Sequence, residues 1–168
     1  MKLYVKNKII SVGGSSEVTD ENGKEVFRIK GRAFSPTKVK TIFDLNGNKL
    51  YKVRNKFWRI NFFRGPKILI YDSQDNKIAS FRNTKIFRPN FVLEGQNGQF
   101  NLKPKGFMKG YEVFENGELI GELRGKVQGL EDIFRDSFEI ETIKESSDPA
   151  FLVTIVIALD NYRDKLTD

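Results

Sequence analysis

The side chains best placed to do chemistry are basic residues that recur at one point of a repeated pattern. Lys30 and Arg32, Arg54 and Lys56, and Arg124 and Lys126 are pairs spaced two residues apart. Arg82 fills the first place of a fourth pair, with Thr84 in the second place and Lys85 next. On an extended strand, residues i and i+2 share a face. The neighbours Ile29, Val53, Phe81 and Leu123 are apolar, so these cations are expected to point to solvent. Strand ends gathered on one surface would bring several cations together, and Lys and Arg then hold phosphate oxygens, Arg bidentately. The chemistry indicated is capture of an anion. The plainer reading is a charged outer face that keeps strands soluble and discourages edge pairing.

Other chemistries find little support. Histidine and cysteine are both absent. That excludes disulfides, thiolate metal sites and cysteine nucleophiles, and it removes the commonest general base. No carboxylate pair has a spacing that implies acid–base or glycosidase work. Glu131, Asp132 and Asp136 share one connector, but no calcium-loop motif accompanies them, so a solvated acidic surface is expected. Gly13-Gly14-Ser15-Ser16 lacks the Gly-Lys-Ser/Thr that a phosphate loop requires. The expectation is therefore a protein that is not an enzyme, with no catalytic residues, no metal site and no cofactor. The segment from Asn55 to Arg64 interleaves aromatics with cations. Such a segment can stack on single-stranded bases or sit at a membrane interface; a core-packing connector with its cations at the rim is the plainer reading.

Charge is divided unevenly along the chain. Residues 1–110 carry 23 Lys/Arg against 8 Asp/Glu, and residues 111–168 carry 6 against 14. The first region favours phosphate-bearing partners, an anionic lipid surface or a nucleic acid. The two regions can also neutralise each other in the fold.

The elements that position these residues are hairpins. Asp20-Glu-Asn22-Gly23, Asp44-Leu-Asn46-Gly47, Asp72-Ser-Gln74-Asp75-Asn76 and Glu115-Asn116-Gly117 each separate two apolar runs. Glu94-Gly-Gln96-Asn97-Gly98 keeps the turn but loses the later register. Asn-Gly between apolar runs signals a tight hairpin whose two central residues both take positive φ. Strands are expected at 3–11, 16–19, 25–30, 38–44, 49–54, 67–72, 77–82, 90–94, 98–102, 110–115, 118–124 and 137–143. Val26, Leu50, Ile78 and Ile120 break the alternation beside the turns and call for two-sided packing there. Many short hairpin-linked strands imply a barrel or sandwich.

One helix is expected, from about 149 to 162, capped by Asp148 or Ser147 and started by Pro149. Its run Phe151-Leu-Val-Thr-Ile-Val-Ile-Ala-Leu159 has no polar face. Such a helix must be enclosed, and it is shorter than the roughly 20 residues of a membrane span. A sheet wrapped round it satisfies both conditions. The fold class expected is mainly β, with about twelve antiparallel strands closed around a buried C-terminal helix in a single domain over residues 1–168. The N-terminus has no apolar stretch of the kind that directs secretion, so a cytoplasmic protein without a transmembrane segment is expected.

The Asp-x-Asn-Gly hairpins at 20–25 and 44–49, the looser one at 72–77, the opening Tyr4-Val5-Lys6-Asn7-Lys8-Ile9-Ile10-Ser11 and the closing Leu152–Asp160 run together resemble the tubby-like superfamily. The match is to its LURP-one-related branch, of bacterial type, over essentially the whole chain. The irregular Gly106-Phe107-Met108-Lys109-Gly110 and the fifth turn depart from the pattern. The resemblance implies a binding module rather than an enzyme. Tubby domains bind phosphoinositide headgroups through surface Lys and Arg, and the similar phospholipid scramblases act at membranes. It therefore implies docking of anionic phospholipid headgroups, or of another phosphorylated ligand, peripherally at a membrane. A soluble protein-interaction or scaffold domain, or non-specific nucleic-acid binding, are the alternatives.

Overall fold

The computed structural model describes residues 1–6, 15–32, 36–56, 67–84, 91–95, 98–106, 110–125, 137–145 and 147–164. Its strands are β1 (Lys2–Lys6), β2 (Ser15–Asp20), β3 (Glu25–Gly31), β4 (Lys40–Phe43), β5 (Lys49–Asn55), β6 (Ile68–Tyr71), β7 (Lys77–Asn83), β8 (Phe91–Gly95), β9 (Gly98–Lys105), β10 (Gly110–Glu115), β11 (Glu118–Gly125) and β12 (Ser137–Thr142). Each pairs antiparallel with its neighbours in sequence, and β1 closes on β12, so the sheet is a closed barrel. All twelve expected strands are present. Residues 7–11, expected to prolong β1, lie outside the described residues.

The turns differ from expectation at three of the hairpins. In the first three, only one residue takes positive φ: Gly23 at 78°, Gly47 at 85° and Asp75 at 68°. Gly23 N–H donates to the Asp20 carbonyl at 3.1 Å, and Asp20 N–H donates to the Lys24 carbonyl at 2.9 Å. These are type I turns followed by a bulge residue in the left-handed region. The reason is the aspartate. Asp20 Oδ1 accepts the N–H groups of Asn22 and Lys24 at 2.8 and 2.9 Å, and Asp44 and Asp72 repeat the arrangement. That side chain supports the wider loop. The fourth hairpin has no such aspartate, and there Asn116 and Gly117 both take positive φ, as the two-residue turn demands.

Each bulge inserts one apolar residue. The register passes from Val18–Phe27 to Thr19–Glu25, leaving Val26 extra; Leu50, Ile78 and Ile120 are the extra residues of the equivalent hairpins. An extra residue re-aims the strand locally. Consequently Val26, Leu50 and Ile78 pack against the core beside their inward neighbours, and Ile120 is itself buried. This is the two-sided packing expected beside the turns.

The helix α1 (Pro149–Asp164) fills the barrel. Residues 152–159 are buried without interruption, in one core with the inward-facing strand residues. Of the two candidate caps, Asp148 makes the bonds: its Oδ1 accepts from Ala150 N at 2.9 Å and Phe151 N at 3.3 Å. Its other oxygen accepts the Tyr51 hydroxyl at 2.6 Å, and the Tyr51 ring meets Phe151 edge-on. Burial first, then Asp148, pushes the Tyr51 hydroxyl pKa well above its ordinary value.

Strand direction gives the barrel two unlike rims. Even-numbered strands run toward the tight turns, where α1 also begins. Odd-numbered strands run toward the opposite rim, where connections such as 56–67 and 126–136 leave and α1 ends.

Candidate anion-docking face

Of the cations marked by the sequence, Lys30, Arg54, Arg82 and Arg124 lie near the ends of odd-numbered strands, on the side of the second rim. Neighbouring odd strands are two strand spacings apart, about 10 Å. The result is an arc of separate charges around the barrel. Lys30 and Arg54 are exposed; Arg32 and Lys56 follow directly on β3 and β5 and are exposed too. Lys126 lies outside the described residues, as do Phe57 to Arg64 of the aromatic-basic segment and the acidic trio Glu131, Asp132 and Asp136.

Surroundings divide these cations into two groups. On the β3–β6 face, Lys30 stands opposite Thr41, Thr41 opposite Lys52, and Lys52 opposite Tyr71 in one row across the sheet. Lys52 and Arg54 both lie over the Tyr71 ring, 4.8 and 5.0 Å from its centroid, and Arg54 Nε donates to the Tyr71 hydroxyl at 2.9 Å. Lys30 lies over Phe43 at 5.3 Å. At the rim, Lys56 N–H donates to the Lys67 carbonyl at 2.9 Å, which sets two lysines opposite each other. Like charges in that position oppose folding. Among the described residues, Lys30, Arg32, Arg54 and Lys56 have no carboxylate partner. Arg28 is held by Glu25 at 2.9 Å. Lys49 and Lys52 share Asp75, whose pKa they pull down to about 2.

The β9–β12 face is wired differently. Arg124 bonds Glu122 at 2.7 Å and lies 3.3 Å from Glu141 and 4.0 Å from Glu139. Lys105 pairs with Glu122 as well and stands 3.9 Å from Glu112. Lys2 reaches Glu139 at 4.0 Å. Glu122 is nearly buried, and Lys105 first, then Arg124, hold its carboxyl below the usual range. Between the faces, Arg82 pairs with Glu94 across β7 and β8 and lowers that carboxyl in turn.

A twelve-stranded barrel with this enclosed helix has counterparts among known proteins. The family model described as LURP-one-related matches residues 1–160. The chain belongs to the LURP-one-related family. An X-ray structure of an Arabidopsis thaliana protein shares the fold at a TM-score of 0.60 and 15% identity, covering 96% of this chain and 91% of that one. No curated protein matches the chain.

In this LURP-one-related protein, no helix of the described residues is long and apolar enough to cross a membrane. Three members of the basic face were not singled out from the sequence: Lys52, Lys67 and Tyr71. A signal for the first was present. The residue two before each marked cation shares its face, and these are Arg28, Lys52, Ser80 and Glu122. That position already separates Arg54, preceded by a cation, from Arg124, preceded by its own carboxylate partner.

Proposed function

We propose that this chain is a non-enzymatic, tubby-like binding module that docks on anionic phospholipid headgroups through the outer face of β3–β6, peripherally at a membrane. The observation that carries the reading is the set Lys30, Arg32, Arg54 and Lys56, exposed cations without carboxylate partners among the described residues. The spacing favours many separate headgroups over one: Lys30 and Lys52 are two strands apart, about 10 Å. Aromatic rings beneath Lys30, Lys52 and Arg54 hold the cations against the face. Each basic residue near an anionic membrane adds about 1 kcal/mol of attraction, which fades beyond the Debye length.

The test is co-sedimentation with vesicles. Association is expected with phosphatidylserine-containing vesicles at low salt, falling as salt rises, and not with phosphatidylcholine alone. Phosphatidylserine and phosphoinositide vesicles matched for total charge are expected to bind alike. Failure to associate at low salt with any anionic vesicle overturns the reading.

A further inference from the structure

The inside of the barrel is apolar for most of its length and turns polar at the second rim. There β4 begins with inward Lys40, and β5 and β7 end with inward Asn55 and Asn83, all three buried. The last turns of α1 meet them with Asp160, Asn161 and Tyr162. Three contacts are complete. Lys40 Nζ donates to Asp160 Oδ2 at 2.5 Å, Asn83 Nδ2 to the Tyr162 hydroxyl at 3.1 Å, and Asn161 Nδ2 to the Lys38 carbonyl at 2.9 Å.

The rest of this seat is incomplete. Asn55 is 2% exposed, and among the described residues neither its Oδ1 nor its Nδ2 has a partner. Asn161 is 0% exposed, and its Oδ1 has none either. Each buried polar atom left unpaired weakens the folding equilibrium by a factor of about ten. The two asparagines are brought together by one short segment. Asn55 donates its backbone N–H to the Thr37 carbonyl at 2.7 Å, and Asn161 bonds the carbonyl of the next residue, Lys38. One has a donor and an acceptor to offer and the other an acceptor, yet they do not bond each other.

We propose that Asn55 and Asn161 form an internal site for a small neutral molecule that both donates and accepts, and that its occupant is water. A water at this place accepts from Asn55 Nδ2 and donates to Asn161 Oδ1; its second proton, or a further water, serves Asn55 Oδ1. A buried water makes about three hydrogen bonds, the number of atoms left over here. Neutrality follows from the neighbours, since the Lys40 charge is already met by Asp160. The bridge ties the end of α1 to β5, adding to the hydrogen bonds that Lys40, Asn83 and the Lys38 carbonyl already make there. Directional bonds of this kind hold the helix at one depth, which a uniformly apolar contact does not.

A crystal structure of the full chain that resolves ordered water tests the site directly. Water density within hydrogen-bonding reach of Asn55 Nδ2 and Asn161 Oδ1 is expected. An Asn55 amide bonded to protein groups, or a dry seam, overturns the proposal. In solution, water ¹⁷O relaxation dispersion counts long-lived internal waters. Asn55→Leu, checked for folding by circular dichroism, is expected to lose the contribution of at least one, and an unchanged dispersion also overturns the proposal. Should that variant not fold, Asn55→Val, smaller and equally unable to bond a water, provides the same comparison.

Discussion

Arg54 and Arg124 stand at the same place in two copies of one hairpin, each seven residues beyond the turn glycine, and their surroundings are opposite. Arg54 lies over Tyr71 among other cations, whereas Arg124 is held by Glu122 with Glu139 and Glu141 close by. The local pattern turns both side chains outward. What each can do depends on the strand that pairs beside it. β6 offers Arg54 an aromatic ring, and β12 offers Arg124 carboxylates. The first face leaves Lys30, Arg32, Arg54 and Lys56 without carboxylate partners among the described residues, and the second pairs Lys105 and Arg124 with glutamates of the barrel.

Exchanging charge between the faces tests this contrast most severely. Arg54→Glu with Lys56→Glu is expected to weaken association with anionic vesicles by about thirtyfold or more, from roughly 1 kcal/mol for each cation lost. Its thermal midpoint should barely move, since neither side chain is buried. Arg124→Glu should do the reverse: vesicle binding within about threefold of wild type, and stability lowered by about 1–3 kcal/mol in urea titration because four glutamates then crowd one surface. Equal effects of the two variants on binding would erase the distinction between the faces.

A pH titration separates the faces more finely. In the folded protein Lys105 and Arg124 hold the Glu122 carboxyl pKa below its ordinary value. Its contribution is fully present above the unfolded value and is lost as pH falls through the folded one, because the unfolded chain takes up the proton first. Urea midpoints of the wild type should therefore fall below about pH 4.5 more steeply than those of Glu122→Gln. Arg54→Gln should leave the steepness of that acid limb unchanged.

The smallest effect is expected at Asp75, the acid that draws Lys49 and Lys52 together. Asparagine tolerates the left-handed backbone there at least as well as aspartate. Asp75→Asn should thus shift stability by less than about 1 kcal/mol and strengthen vesicle association by two- to fivefold, read from the same sedimentation assay.

Much of the architecture was legible because it rests on short-range patterns. Period-two alternation marked the strands, turn residues marked the hairpins, and a run with no polar face marked an enclosed helix. Even the four bulged residues, Val26, Leu50, Ile78 and Ile120, stood out as breaks in alternation. The turn type was misjudged because the Asn-Gly pair was weighed without the aspartate before it, whose carboxylate holds the wider loop. The candidate site was legible only in part. Lys30, Arg32, Arg54 and Lys56 emerged, but so did Arg82, whose partner Glu94 lies twelve residues away on β8.

By itself, then, the sequence determined the number and order of the strands, the face on which each cation lies and the burial of the closing helix. Those properties depend on neighbours within a few residues, and the backbone geometry of a strand or helix carries them directly. Only the tertiary structure decided which charges are held by the barrel and which remain open, and that Asn55 and Asn161 are both bonded to residues 37–38. Coulomb and hydrogen-bond energies change over a few ångströms, and the separation between residues on different strands is set by how the barrel closes.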